Sequence, residues 1–167
     1  QRQLVDYDDL LVLLRRLVME DEGIRRTISS LYRYILVDEY QDTNRLQADV
    51  VRHLAFTHQN VMVVGDDAQS IYAFRGATFK NIMEFPTLFP GTTIYKLEEN
   101  YRSTQPILNL ANTIIEAAAE KYSKHLFTRK LDGPLPVLVE AAGEHAQSRF
   151  IAQKILELRE EGVPLGE

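Results

Sequence analysis

The chain has 167 residues, enough for one domain or for one and a half small ones. Apolar residues make up 45% and charged residues 26%, and no apolar run approaches the roughly 18 residues of a membrane span, so a membrane-embedded role is not expected. The formal net charge is −5, and neither residues 1–100 nor residues 101–167 carry an excess of Lys and Arg, so any nucleic-acid contact must rest on stacking and a few placed arginines rather than on bulk charge.

Cysteine is absent, which excludes disulfides and thiolate metal sites and fits a reducing cytoplasm. The opening QRQLVDYDDLL has no basic head followed by an apolar stretch, so no secretion signal is expected. Tryptophan is absent too, which leaves any base stacking to Tyr and Phe.

Residues 7 to 20 read as a helix, with Leu10, Leu13, Leu14 and Leu17 at helical spacing and arginines on the other face. A short helix is expected from Gly23 to Leu31. Ile35-Leu36-Val37 is a short apolar run that stops at two acids. Asp42-Thr43-Asn44 then offers capping side chains to a helix whose buried face carries Leu46, Val50 and Leu54. A second apolar run, Val61 to Val64, stops at Gly65. Ala77 to Phe85 reads as a helix ended by Pro86, and Thr92 to Leu97 as a third strand. Ser103 or Thr104 caps a helix with Pro106 in its first turn. A basic connection follows from Lys121 to Gly133, then a strand from Pro136 to Glu140. The last helix runs from about Glu144 to Glu161, with Phe150, Ile151, Ile155 and Leu158 inward and Gly162 and Pro164 as stop signals. Val163-Pro164-Leu165 is expected to lead into a further strand.

Two short all-apolar strands joined by a helix describe a βαβ unit, which implies parallel strands in a sheet covered on both faces. Ligands of such sheets sit beyond the carboxyl ends of the strands. Asp38-Glu39 and Gly65-Asp66 fall just past those ends.

Three segments carry candidate chemistry. In ILVDEYQD, residues 35 to 42, one acid could position Mg²⁺ through water while the other orients or deprotonates an attacking water; the plainer reading is a loop start that caps the next helix. In VGDDAQSIYAFRGA, residues 64 to 77, Gln69 can both donate and accept, so it could feel a γ-phosphate or its attacking water. In extended chain Tyr72 and Phe74 would point the same way as a stacking platform; the plainer reading places both rings in the core. In LEENYRSTQPI, residues 97 to 107, Arg102 could reach a phosphate and Tyr101 could stack on a base; the alternative is a surface arginine beside an anchoring tyrosine. His53, His58, His125 and His145 have no metal-ligand spacing.

The order DYDDLL, DEYQD, GDDAQSIYAFRGA, ENYRST resembles the successive signature motifs of superfamily 1 DNA helicases of the UvrD/Rep/PcrA type, through nearly the whole chain. The resemblance implies a partial RecA-like (P-loop NTPase) domain of α/β class, a parallel sheet flanked by helices, over residues 1–100. Residues 101–167 would then form the inter-domain junction and the start of a second RecA-like domain. It implies that Asp38 helps bind Mg²⁺, that Glu39 is the catalytic base, and that Gln69 senses the γ-phosphate and couples to DNA. Tyr72 and Phe74 would stack on single-stranded DNA with Arg75 nearby, Tyr101 would stack on adenine, and Arg102 would be the arginine finger. The family usually has Trp where this chain has Phe74, and Phe keeps a π-face but less area.

The family's phosphate-binding pattern, GxxxxGK[ST], is nowhere in these residues. The chain alone is therefore expected to be inactive, and ATP and Mg²⁺ are expected as cofactors of a longer parent. That parent is expected to be an ATP-dependent helicase that translocates on single-stranded DNA and unwinds duplex with 3′ to 5′ polarity. Two rivals share these features: the motor of an AddA/RecB-type helicase–nuclease, and a non-catalytic nucleic-acid or protein interaction module. Intact Asp38, Glu39, Gln69 and Arg102 argue against the second.

Overall fold

The computed structural model describes residues 5–164 and 166. Helix α1 is Tyr7–Glu20, opened by Asp6, whose carboxylate accepts from the Asp9 N–H at 2.8 Å in a reciprocal capping box. Asp21 ends α1 and caps α2, Glu22–Leu31. Strand β1 is Ile35–Val37, helix α3 is Arg45–Leu54, and β2 is Val61–Val63. Helix α4 is Lys80–Leu88, α5 is Gln105–Glu116 and α6 is Glu144–Glu160.

The two strands pair in parallel, with Ile35 opposite Val61, Leu36 opposite Met62 and Val37 opposite Val63. Because strand side chains alternate, Val37, Val61 and Val63 turn to one face. There they pack on a core of Tyr40, Ala48, Ile82 and Phe85. Tyr40 is fully buried and meets Phe85 edge-on, with ring centroids 5.6 Å apart. The expected cover on both faces is corrected: Leu36 and Met62 are 69% and 54% exposed, so one face of the pair is uncovered among the described residues.

Helix α3 links the sheet to the N-terminal helices. Asn44 caps it through a reciprocal bond with Gln47, as the capping residues suggested. On its outer side Asp49 pairs with Arg15 of α1 at 2.8 Å. The inward stripe of α1 differs from the expected one: Val18 is buried and Leu11 and Leu14 are half-buried, while Leu10, Leu13 and Leu17 face outward. With leucine on almost every side, helical spacing alone does not choose which stripe turns inward.

Three further expectations are corrected. Helix α4 starts later than Ala77 and passes through Pro86 to Leu88. Thr92 to Leu97 and Pro136 to Glu140 form no strand, and Tyr95, Leu97, Val137 and Leu138 are largely exposed. A strand needs a neighbour for its backbone N–H and C=O groups, and no described residue supplies one to either segment. Helix α6 forms and ends as expected, with Gly162 at φ 93° and the Val163 N–H bonded to the Leu158 carbonyl. Its apolar stripe of Phe150, Ile151, Ile155 and Leu158 is exposed rather than inward, since no described element packs on it. Leu165, expected to lead into a further strand, lies outside the described residues.

The connection from Lys121 to Gly133 is ordered by its contacts. Asn112 of α5 holds Leu126 by two reciprocal bonds, and Gln105 accepts from the Thr128 N–H. From there the segment crosses to the first half of the chain, where Tyr122 joins the core.

Candidate functional site

Asp38 and Glu39 leave β1 at its carboxyl end, and Gly65 and Asp66 leave the end of β2 beside them. Val64 N–H donates to the Val37 carbonyl at 2.8 Å, and Tyr40 N–H donates to the Val64 carbonyl at 2.9 Å, so the two exits are fastened together. Both acids of the first exit are exposed. Asp38 Oδ1 accepts from the Glu39 N–H at 2.9 Å. Glu39 itself has φ 49° and ψ 42°, the left-handed region that a side chain with a Cβ seldom adopts.

Gln41 holds that conformation. Its side chain is buried between the two exits, where Nε2 donates to Glu39 Oε2 at 2.7 Å and Oε1 accepts from the Asp66 N–H at 3.0 Å. One amide therefore fixes the position of both strand-end loops. Gly65 makes the approach feasible: a Cβ there would lie 2.5 Å from Gln41 Oε1 and 2.8 Å from Ile82 Cδ1.

The second loop turns through Asp67–Gln69, a single 3-10 turn. Asp66 Oδ1 accepts from the Ala68 N–H at 3.0 Å and from the Lys124 ammonium, and Oδ2 accepts from Gln69 Nε2 at 2.9 Å. Lys124 also reaches Asp67 Oδ1 at 3.2 Å. Burial pushes the Asp66 carboxyl up, but Lys124, Gln69 and the Ala68 N–H together outweigh it and hold its pKa below the ordinary value. Burial pulls Lys124 down, and the two aspartates more than reverse it, so its pKa is raised.

A cavity of about 780 Å³ opens over these loops, lined by Asp38, Glu39, Asp66, Asp67, Gln69 and Lys124 among others. Of the residues singled out from sequence, Asp38, Glu39 and Gln69 thus share one cavity. Tyr72, Phe74, Tyr101 and Arg102 do not line it.

Tyr72 and Phe74 sit together elsewhere on the same loop, with ring centroids 6.0 Å apart and planes tilted by 50°. They are brought together by a 3-10 turn over Ala73–Arg75, not by extended chain. Phe74 is 77% exposed and Tyr72 half-buried, so neither ring is in the core. The Arg75 side chain lies outside the described residues. Tyr101 and Arg102 lie on an exposed turn before α5, where Asn100 Oδ1 accepts from the N–H groups of Arg102 and Ser103, and Tyr101 Oη donates to Glu99 at 3.1 Å. Sequence reasoning missed Gln41, although it quoted the motif containing it, and missed Lys124, visible only as part of a basic connection.

An α/β unit with a pair of acids past one parallel strand and a polar, amide-bearing loop past its neighbour is the arrangement of a partial RecA-like domain. The family model of the UvrD/REP helicase N-terminal domain matches residues 1–90, and that of the UvrD-like helicase C-terminal domain matches residues 95–166. The chain belongs to the UvrD/REP helicase family. It is 42% identical over 158 residues to a protein named DNA helicase II from Rickettsia typhi, covering 94% of this chain and 24% of that protein. It is 42% identical over 163 residues to ATP-dependent DNA helicase UvrD1 of Mycobacterium tuberculosis, covering 93% of this chain and 21% of the relative. It is 38% identical over 162 residues to ATP-dependent DNA helicase PcrA of Bacillus subtilis, covering 97% and 22%. The chain thus spans under a quarter of the length of these relatives.

Proposed function

We propose that this chain is the central part of an ATP-dependent DNA helicase that translocates on single-stranded DNA and unwinds duplex, with 3′ to 5′ polarity. The observation that carries the reading is the joining of Glu39 to Asp66 through Gln41, which brings the two strand-end loops of a helicase-family domain to one cavity. The relatives named above are helicases, which favours this reading over a helicase–nuclease.

Residues 1–100 are assigned to the first motor domain, and residues 101–167 to the junction and the start of the second. Glu39 is the base that takes a proton from the attacking water. Gln69 senses the γ-phosphate, Tyr101 stacks on adenine, and Arg102 stabilises charge on the transferring phosphoryl group. Tyr72, Phe74 and Arg75 contact the single strand.

The donor set fits Mg²⁺. The ion prefers one or two carboxylates plus phosphate oxygens and water. Asp38 supplies an exposed carboxylate with Oδ1 fixed by a backbone N–H, and no cluster of three or more metal-ligating side chains forms among the described residues. When bound, the ion would neutralise charge on the phosphates. Among the described residues no helix is long and apolar enough to cross a membrane, and a cytoplasmic location is part of the proposal.

The test is ATP hydrolysis and strand separation by the full-length protein on tailed duplexes. Hydrolysis should be stimulated by single-stranded DNA, and unwinding should start from 3′ tails. Hydrolysis indifferent to DNA would overturn it. The 167-residue chain alone, without a phosphate-binding loop, is expected to show no turnover with or without DNA.

A further inference from the structure

We infer that Lys124 is a positioning residue for Gln69, acting through Asp66 from a segment 58 residues further along the chain. The inference rests on the reading of Gln69 as the γ-phosphate sensor and adds the device that orients it.

The primary amide of Gln69 has two ends of similar shape and opposite polarity. An ionised carboxylate only accepts, so Asp66 Oδ2 at 2.9 Å draws the nitrogen end toward itself. The carbonyl Oε1 and the second N–H then remain for water or phosphate. Asp66 can do this only while it is charged and held still. Lys124 meets both needs: its side chain is 13% exposed, and its ammonium lies against Asp66 and Asp67, whose side chains are 30% and 7% exposed. Without Lys124, two adjacent, partly buried carboxylates would lose the ammonium they share. The loop would shift or take up a proton, and either change releases the Gln69 amide.

Lys124 is itself anchored. Two residues earlier, the Tyr122 N–H donates to Asp67 Oδ2 at 3.2 Å and Tyr122 Oη donates to the Ile82 carbonyl at 3.0 Å. On its other side Leu126 is tied to Asn112 of α5 by two bonds. The strap from Tyr122 to Leu126 therefore joins α5 to the loop that carries Gln69, and a displacement of α5 would be felt at Gln69 through Lys124.

The test uses the full-length protein with Lys124→Met, Lys124→Arg, Asp66→Asn, Gln69→Ala and the double variant Lys124→Met/Gln69→Ala. The readouts are kcat and KM for ATP with saturating single-stranded DNA, below the melting temperature of every variant. Misplaced positioning groups typically cost about 10- to 100-fold in rate. Lys124→Met and Asp66→Asn are each expected to lower kcat by about that factor with KM within threefold, and Lys124→Arg to recover most of it. The double variant is expected to be no slower than Gln69→Ala, since both changes remove one function. Full activity of Lys124→Met beside an impaired Gln69→Ala would overturn the inference and leave the function of the site intact. Multiplicative losses in the double variant would assign Lys124 a separate role and also overturn it. An unimpaired Gln69→Ala would overturn the sensor reading itself, and the inference with it. Should Lys124→Met not fold, the Asp66→Asn and Lys124→Arg pair decides: an active Asp66→Asn contradicts the inference.

Discussion

Tyr122 Oη donates to the backbone carbonyl of Ile82 at 3.0 Å, and that carbonyl is the one Pro86 leaves without its helical donor. Proline has no N–H to give to the residue four positions back, so a side chain 40 positions away supplies the missing bond. This lets α4 continue through Pro86 and keeps Phe85 against Tyr40. Tyr122→Phe should destabilise the full-length protein by about 1–2 kcal/mol, the net worth of a hydrogen bond plus an unpaired carbonyl. Pro86→Ala restores the helical N–H, so in its background Tyr122→Phe should cost less. Chemical denaturation of the four proteins in that cycle checks it; equal costs in both backgrounds would show that Tyr122 does not serve the carbonyl freed by Pro86.

The placement of Tyr72 and Phe74 separates a DNA platform from a core pair. Phe74 is mostly exposed, so Phe74→Ala should leave the melting temperature nearly unchanged, and the half-buried Tyr72 should cost somewhat more. Stacking is worth roughly 1–3 kcal/mol per base, so either truncation should weaken single-strand binding by about 5- to 150-fold. Phe74→Trp should hold or tighten it. Unchanged DNA affinity in both alanine variants, read by titration of a labelled oligonucleotide, would remove these rings from the interface.

Much of the fold was legible because its signals are local. Ile35 to Val37 and Val61 to Val63 announce themselves as short apolar runs, Asn44 as a cap, and Gly162 as a stop. The acids past β1 and Gln69 past β2 were legible for the same reason. What failed depended on distant partners. The stripe of α1 that turns inward is set by packing on α2 and α3, where Arg15 meets Asp49, 34 positions away. Thr92 to Leu97 has strand composition but no neighbouring strand among the described residues. Gln41 and Lys124 owe their roles to contacts 25 and 58 positions away, which no spacing rule registers.

The clasp of Lys124 with Asp66 has a defined pH window. The Asp66 pKa is lowered, so its contribution to stability is present above the ordinary carboxylate value and is lost as pH falls through the lower, folded value. The Lys124 pKa is raised, so its contribution is complete below the ordinary lysine value and is lost as pH rises through the higher, folded value. The stabilisation due to the pair should therefore be flat from about pH 5 to pH 9 and decline only outside that range. The difference in unfolding free energy between the unaltered protein and Lys124→Met, followed across pH, measures it. A midpoint between pH 6 and 8 would mean that another group governs the strap.

Gly65→Ala should disturb the site without touching a catalytic group. The new methyl would sit 2.5 Å from Gln41 Oε1, so the bridge between Glu39 and Asp66 must shift. Overpacking of this kind costs about 1–3 kcal/mol. The expected outcome is a lower melting temperature together with a lower kcat for ATP. A variant with unaltered turnover would show that the Gln41 bridge is dispensable for hydrolysis.

The most direct measurement is ATP turnover and ATP binding by Glu39→Gln in the full-length protein. The change is nearly isosteric and removes the base while leaving an amide oxygen that can still accept from Gln41 Nε2, and general-base assistance contributes typically about 10²–10⁴-fold. With Glu39 as the base, kcat should fall by about that factor while nucleotide affinity, read by equilibrium titration, stays within a fewfold. Hydrolysis within a fewfold of the unaltered enzyme would contradict the assignment of Glu39, and with it the proposed catalytic site at the ends of β1 and β2.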